Sequence, residues 1–194
     1  GWLWTTGDAG KHATLLARSH TARGKASTIT SLVNCGAASI AHAKPLFETC
    51  VQGALSVGRW LYALDPAARD ILDNLDVIWS RQLLGAGFNH NAVLCRLEVG
   101  WGLTSFDKAI IDVARRRAAV WRRPLTDWHR AKILWAEANF CDSWGALSAR
   151  LLKDSGVPDF KDVCGIYSYK SYCRMVRQTL TVLRSTKDAF SVNK

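Results

Sequence analysis

The chain has 194 residues, of which 48% are hydrophobic and 22% charged; this composition is typical of a globular protein and excludes wholesale disorder. No apolar run approaches the ~18 residues that a membrane span requires. The formal net charge of +10 is uneven, because residues 1–110 carry ten Lys/Arg against eight Asp/Glu and residues 111–194 carry sixteen against eight. The basic C-terminal half is therefore expected either to attract nucleic acid or another anionic surface, or merely to be well solvated.

After a short N-terminal segment, the chain is predicted to begin with two helices. Gly1–Trp4 could form a strand, and a glycine-rich turn then precedes a helix over about residues 11–33, in which Gly24 is a weak point. That helix would turn inward a broken, mostly apolar stripe: Ala13, Leu16, Ala17, His20, Ile29, Leu32 and Val33. Pro45 is expected at the first position of the second helix, where a proline loses no intrahelical hydrogen bond.

The clearest helical periodicity covers residues 66–84. Asp65-Pro66 is a start signal, the apolar residues keep a 3.6-residue period, and Gly85 is a stop signal. The opposite side of this helix carries three aspartates and is excluded as a nucleic-acid surface: Asp70, Asp73 and Asp76. A second, short helix is predicted within Asn91–Trp101.

Four more helices are predicted in the basic half. Thr104–Asp107 has the pattern of a capping sequence and opens a helix that Pro124 ends near Arg123. Further helices would run from Thr126 or Asp127 to about residue 140, from Asp142 or Ser143 to about residue 155, and over about 168–187. The predicted fold is an all-α bundle of about six to eight helices, with a helical part at 1–103 and a basic helical part at 104–194.

Five arginines share the predicted helix that follows Thr104. Positions 115 and 122 are seven residues apart, as are 116 and 123, which predicts basic rows along one side: Arg115, Arg116, Arg117, Arg122 and Arg123. Guanidinium groups bind phosphates in a fork geometry, and Trp121 could either stack on a base or pack inward. The last helix has a similar but less specific pattern that a solvated amphipathic helix also explains: Lys170, Arg174, Arg177, Arg184 and Lys187.

No other motif predicts catalysis or metal binding. The six cysteines lack paired spacing, which predicts free thiols in a reducing, intracellular compartment. His90 and His129 have no Cys, Asp or Glu at a ligand or triad spacing, so each is expected to be a surface or capping histidine. No glycine-rich phosphate loop and no adjacent pair of aspartates occurs. Gly1 in place of Met, without a signal-peptide pattern, suggests a fragment, a processed form or an incomplete gene model.

The order of several motifs resembles the region after the polymerase core of non-LTR (LINE-type) reverse transcriptases. The resemblance is best over Asn91–Trp101, which starts with asparagine-alanine and closes with glycine-tryptophan. Before it, Val77–Gly87 has the family's leucine-leucine-glycine end, although Arg81 is the one basic residue of this segment, whereas the corresponding helix carries paired basic residues in the family. Weaker similarity covers further segments in the same order: Gln52–Gly58 with Trp60, Trp144–Leu147, Leu151-Leu152 and Gly156–Pro158.

This resemblance implies the helical thumb and downstream region of a retrotransposon RNA-directed DNA polymerase, without its catalytic palm. Such a thumb clamps the backbone of template and primer without reading sequence, so RNA, DNA or their hybrid would be the partner. The segment itself would hold no cofactor, because Mg²⁺ belongs to the palm, and a nuclear location would follow. The residues expected to contact phosphate are the five arginines above and, second, four cations of the first helix: Lys11, Arg18, Arg23 and Lys25.

Two alternatives remain open from the sequence. A retroelement fragment could have been recruited as a structural subunit of a large ribonucleoprotein, such as an organellar ribosome, where nine tryptophans would be buried on many sides. A small α-helical enzyme or a protein–protein adaptor would instead require a pocket with convergent polar groups.

Overall fold

The computed structural model describes residues 8–192, and within that range the chain forms helices joined by short loops, without β-strands. The predicted all-α class is confirmed, whereas the strand predicted at Gly1–Trp4 lies outside the described residues. The helices are α1 (Asp8–Asn34), α2 (Ile40–Leu46), a π-helical turn (Phe47–Val51), α3 (Gln52–Ser56), α4 (Arg59–Tyr62), α5 (Ala68–Leu84), α6 (Ala92–Glu98), α7 (Ser105–Trp121), α8 (Asp127–Asn139), α9 (Trp144–Asp154), α10 (Phe160–Val163) and α11 (Tyr169–Val192).

Helix α7 lies at the centre of this arrangement. It packs against α4, α5, α9, α10 and α11, and a single hydrophobic core runs from Leu15 in α1 to Leu180 in α11. The apolar side of α7 includes Ile110, Val113 and Ala114, each almost fully buried. The neighbours of α7 therefore cover its apolar side and leave one polar side toward solvent. None of the helices within residues 8–192 is long and apolar enough to cross a membrane.

Of the stripe predicted to face inward in helix α1, Ile29 is buried and Val33 packs against the core, but the other buried positions differ. The buried positions alternate by three and four residues along Leu15, Ser19, Ala22, Ala26 and Ile29. Leu16 and Leu32, which were predicted to face inward, are 47% and 40% exposed. Small alanines occupy the centre of this stripe, where they allow the neighbouring helices to approach closely. Because alanines also occur at positions 9, 13 and 17, the sequence does not show which of them are buried. Gly24 is exposed and does not interrupt the helix.

The second helix does not begin at Pro45. Helix α2 begins at Ile40 behind the Ser39 N-cap, and Pro45 lies inside it, just before the π-helical turn. A proline inside a helix lacks the N–H for the usual hydrogen bond, and a locally widened turn accommodates such defects. The widened turn carries Phe47 and Val51 into the core.

An aromatic cluster joins the π-helical turn to α5 and to the loop after α6. Phe47 lies 5.3 Å from Trp79 and 4.7 Å from Trp101 between ring centroids, and all three side chains are buried. Edge-to-face and tilted contacts of this kind stabilise the core beyond their burial alone. As predicted, Gly85 ends α5; its φ of 62° lies in the left-handed region, which favours glycine.

The start of α7 is fixed twice, by its own cap and by a carboxylate of α5. Thr104 and Asp107 form the predicted capping box. Asp76, which was predicted to face solvent, is buried and accepts hydrogen bonds from both the backbone N–H and the hydroxyl of Ser105, the latter at 2.6 Å. The aspartate spacing suggested a solvated face, but only Asp70 is exposed and Asp73 is half-buried. Asp76 lies four residues after Leu72 and three before Trp79, on the buried side of α5, where Ser105 supplies its donors.

We expect Asp76→Asn to abolish a change in stability that the wild-type protein shows between about pH 4 and pH 6. Burial raises the pKa of the Asp76 carboxyl to about 6, although the hydrogen bonds from Ser105 act in the opposite direction. The folded state therefore holds this proton more tightly than the unfolded state does. The resulting stabilisation is complete below about pH 4 and disappears as the pH rises through about 6, by on the order of 3 kcal/mol.

Urea unfolding of both proteins from about pH 4 to pH 7 measures this effect. Asparagine keeps a carbonyl oxygen that can accept the hydrogen bond from the N–H of Ser105, so the variant should still fold. It therefore removes the titrating group without removing this contact. Identical pH profiles for the two proteins would rule out Asp76 as the titrating group.

Candidate nucleic-acid interface

The polar side of α7 carries a row of three cations. Lys108, Arg115 and Arg122 follow one another at intervals of seven residues, which places them on the same side of a helix. Arg115 keeps 45% of its side chain exposed, Arg122 is exposed and Lys108 is half-buried. The row extends over roughly 21 Å, at 1.5 Å per residue. The apolar positions of α7 turn this row outward because they are committed to the core.

Helix α11 runs antiparallel to α7 and adds a second row. Near its end, Arg184 donates two hydrogen bonds of 2.9 Å to the carboxylate of Asp107, in the first turn of α7. At its beginning, the ring of Tyr169 lies 4.7 Å below the guanidinium of Arg122. Lys170 and Arg177 are seven residues apart and exposed. We call the two rows together the α7/α11 basic face: Lys108, Arg115, Arg122, Lys170 and Arg177.

A cleft of about 610 Å³ opens beside the α7/α11 basic face. It lies between the α3 region, the loop at 100–103 and α7, and its lining includes four cations and two carboxylates: Arg59, Lys108, Arg115, Arg177, Glu48 and Asp112. The two carboxylates cannot neutralise all four cations. Asp112 forms an ion pair with Arg59 at 2.7 Å, and Glu48 is exposed to solvent. The cleft therefore has an excess of positive charge.

A chain of hydrogen bonds connects this cleft to the buried carboxylate of Asp76. Arg59 donates to the side-chain oxygen of Gln52 at 3.4 Å, and the amide group of Gln52 donates to the Ser105 hydroxyl at 2.7 Å. Ser105 in turn donates to Asp76. The chain fixes the wall of the cleft to α5, so the cationic groups are held in place before any ligand arrives.

The pKa of Lys108 mainly reflects its burial beside the cleft. Burial lowers its pKa below the ordinary value; of the charged neighbours, Asp76 and Glu48 raise the pKa, and Arg59 and Arg177, each more weakly, lower it. Neighbouring cations repel each other, and an anion placed among them would relieve that repulsion. The arrangement therefore favours phosphate or another anion.

The structure separates the five predicted arginines. Arg115, Arg116, Arg122 and Arg123 are exposed, and Arg116 stacks over the ring of Trp60 with its guanidinium carbon 4.5 Å from the centroid. Four of the five therefore reach solvent, two of them from α7 itself and two, Arg122 and Arg123, from its C-cap and the residue after it. Trp121, between them, is half-buried and packs against the core, which is the inward alternative.

The inclusion of Arg117 in the surface set is wrong. Its side chain is 1% exposed and forms ion pairs with Glu137 in α8, at 3.0 Å, and with Asp159 before α10. It also donates to the carbonyl of Gly145 and the hydroxyl of Ser148. Arg117 lies seven residues after Ile110 and four after Val113, which places it on the apolar side of α7. It holds helices together and does not face a ligand.

The four cations predicted in α1 differ in their exposure to solvent. Lys11, Arg18 and Lys25 follow at intervals of seven, and the first two are half-buried while Lys25 and Arg23 are exposed. Burial raises the pKa of Tyr62 in α4, and the nearby cations Arg59 and Arg18 act in the opposite direction. Arg18 of the α1 row therefore lies near α4, against which α1 packs.

Sequence reasoning missed Lys108 and Arg59. Lys108 could have been found, because it precedes Arg115 by seven residues. Arg59 carried no periodic signal, since it follows Gly58 in a one-turn helix, and only its contact with Asp112 on α7 brings it to the cleft. Neither predicted histidine is near the cleft: His129 lies beside the Thr126 N-cap, and His90 lies in the loop after α5.

Within residues 8–192 no group of three or more His, Cys, Asp or Glu side chains could hold a metal ion. All six cysteines are free thiols. Comparison of the chain with protein-family models, with curated proteins and with solved structures finds no match.

Proposed function

We propose that this protein is a nucleic-acid-binding helical module that holds the phosphate backbone of a duplex on its α7/α11 basic face. The observation that carries the proposal is the row of Lys108, Arg115 and Arg122 beside a cationic cleft. Long cationic side chains on a rigid helix can follow a line of phosphates and contact them without reading bases.

The distribution of carboxylates supports this choice. Among the described residues, burial withdraws four aspartates from solvent but only two arginines, so the surface is more basic than the sequence total. Within residues 8–192 no carboxylate lies within ion-pair distance of Lys108, Arg122 or Arg177. Clustered cations without such partners gain most from a polyanion.

The order of the sequence motifs supports a more specific form of the proposal. In it, the protein is the thumb and downstream region of a LINE-type reverse transcriptase and clamps a template–primer duplex. The two best-matching segments are α5 with its Gly85 stop and α6, which begins at the Asn91 N-cap. Catalysis and Mg²⁺ binding would then belong to a palm, and the segment would bind the template–primer duplex and orient it.

Neutralising the α7 row tests the proposal. We expect the Lys108→Gln/Arg115→Gln/Arg122→Gln variant to bind a blunt RNA–DNA hybrid about tenfold more weakly at ~0.1 M salt. The slope of log affinity against log salt should become shallower by about two to three, because each lost phosphate contact contributes nearly one. Fluorescence anisotropy over a series of salt concentrations measures both quantities.

The matched control removes three exposed cations outside the α7/α11 basic face, in Arg150→Gln/Lys153→Gln/Lys187→Gln. It should change the salt slope much less. Wild-type binding that is undetectable at low salt, or constant across salt concentrations, would contradict the proposed function. Equal effects of the two triple variants would show that net charge, not this face, determines binding.

A second candidate function is a structural subunit of a large ribonucleoprotein. Large apolar side chains are exposed on several separate segments, including Phe88 at 88%, Ile166 at 80% and Phe190 at 71%. Dispersed apolar exposure suits burial by several neighbours. Co-sedimentation of the protein with a ribonucleoprotein particle would favour this function, and a monodisperse free monomer would argue against it.

A further inference from the structure

Helix α8 is the one long helix after α7 that buries no residue. Its inner side, with Ile133, Ala136 and Glu137 half-buried, rests near the end of α7 and the start of α9. Glu137 is held there by Arg117 and by Lys161, whose ammonium lies at 3.3 Å. The inner side is therefore anchored by ion pairs, and the outer side is free of contacts with the core.

The outer side carries two tryptophans that a folded protein would ordinarily cover. Trp128 and Trp135 are 60% and 59% exposed and lie seven residues apart, on one side of the helix. Lys132 lies between them, with its ammonium 3.7 Å from the centroid of Trp128. We call Trp128, Lys132 and Trp135 the outer strip of α8. Phe140 extends the strip, because its ring meets Trp135 edge-on at 5.5 Å.

The charges around the outer strip indicate what kind of partner would cover it. Residues 122–135 contain four cations and a single carboxylate, Asp127: Arg122, Arg123, Arg130 and Lys132. An apolar protein surface would have to desolvate these cations without compensation. A partner that offers flat rings and negative charge together satisfies both the indoles and the cations, and single-stranded nucleic acid is such a partner.

The spacing of the strip also suits a single strand. Seven helical residues separate the two indoles by roughly 10 Å along the axis, close to three base steps of ~3.4 Å each. A base that stacks on Trp128 would take the ring face that Lys132 now covers. The Lys132 ammonium would then be free to pair with a backbone phosphate. The contact between lysine and indole is thus replaced by two contacts, base with indole and phosphate with ammonium.

We infer that the outer strip of α8 binds an unpaired strand that continues from the duplex on the α7/α11 basic face. The inference rests on the proposed function, because the strand reaches α8 from that face. The connection is short: Arg122 belongs to the α7 row, and α8 begins at Asp127, behind its Thr126 N-cap. The ligand class is thus a duplex with a single-stranded overhang, such as a template ahead of its primer end.

Two probes that differ only in the overhang test the inference: a blunt RNA–DNA hybrid and the same hybrid with an oligo-dT extension. Wild-type protein should bind the extended probe more tightly. Trp128→Ala/Trp135→Ala should remove that gain, with a loss of at least about fivefold, and should leave binding of the blunt probe unchanged. The salt slope measured with the blunt probe should also stay the same, since the α7/α11 basic face that contacts its phosphates is unchanged. Both alanines favour helix and replace exposed side chains, so folding should be retained.

The matched control, Phe88→Ala/Phe190→Ala, removes two exposed aromatic rings away from α8 and should keep the gain from the overhang. Equal binding of the two probes by wild-type protein would overturn the inference and leave the proposed function standing. Absence of salt-dependent binding to the blunt probe would instead overturn the proposed function. A tryptophan variant that keeps the overhang gain but loses binding to anionic lipid vesicles would also overturn the inference, by assigning the strip to a membrane surface.

Discussion

Replacing Arg117 with leucine is expected to lower the free energy of unfolding by about 3–5 kcal/mol. The substitution removes a fully buried guanidinium and leaves the carboxylates of Glu137 and Asp159 without their arginine. An unpaired carboxylate in a dry site costs far more than a lost surface contact. Urea unfolding followed by circular dichroism at neutral pH measures the change.

A compensated variant separates the cost of unpaired charge from the loss of packing. Arg117→Leu combined with Glu137→Gln and Asp159→Asn leaves no buried charge at this site, and we expect it to regain a large part of the lost stability. Arg123→Leu, which changes an exposed arginine nearby, should alter stability by less than about 0.5 kcal/mol. A loss below about 1 kcal/mol in Arg117→Leu would contradict the proposed structural role.

Breaking the buried pair of Arg96 and Asp188 is the second large effect expected. Arg96 in α6 lies 2.5 Å from Asp188 near the end of α11, and it also donates to the carbonyl oxygens of Trp101, at 2.7 Å, and Gly102. Arg96→Met should cost about 3–5 kcal/mol, because Asp188 is then left buried and unpaired and two loop carbonyls lose their donor. Thermal and urea unfolding both report the change.

A double-mutant cycle checks whether the two residues act as a pair. Arg96→Met and Asp188→Leu together should cost clearly less than the sum of the single variants, because no isolated charge remains. Purely additive effects would show that the ion pair does not contribute as a unit. Arg96→Met should also weaken binding of the RNA–DNA hybrid, because Gly102, whose carbonyl Arg96 contacts, lines the cleft. If the double variant binds equally weakly, the loop requires Arg96 itself and not merely the absence of an unpaired Asp188.

These two buried arginines connect stability to the proposed interface. Arg96 fixes the end of α11 to α6, and Arg184 fixes the same helix to Asp107 at the start of α7. Arg117 fixes α8 and the segment before α10 to the middle of α7. The exposed cations of α7 and α11 and the outer strip of α8 are therefore presented by helices whose positions depend on buried ion pairs.

The boundaries of most helices could be predicted because short-range interactions set them. Thr104, Thr126 and Ser143 each accept a hydrogen bond from a backbone N–H three residues later, as their sequence patterns indicate. Gly85 adopts the left-handed conformation that ends α5. Such signals involve neighbours in the chain and need no knowledge of the packing. The LINE-type resemblance stays a prediction, since no comparison tests it.

The sequence by itself determined the helical class and the basic side of α7, because hydrogen-bonded caps and a seven-residue spacing of cations are local properties. The spacing from Ile110 and Val113 already places Arg117 on the apolar side of α7, but only the tertiary structure shows its partners there, since the two carboxylates lie 20 and 42 residues away along the chain. The same holds for Asp76, whose donors belong to Ser105. A charged side chain can be buried only where a partner offsets the free-energy cost of its desolvation. The packing of distant segments determines whether that partner is within reach.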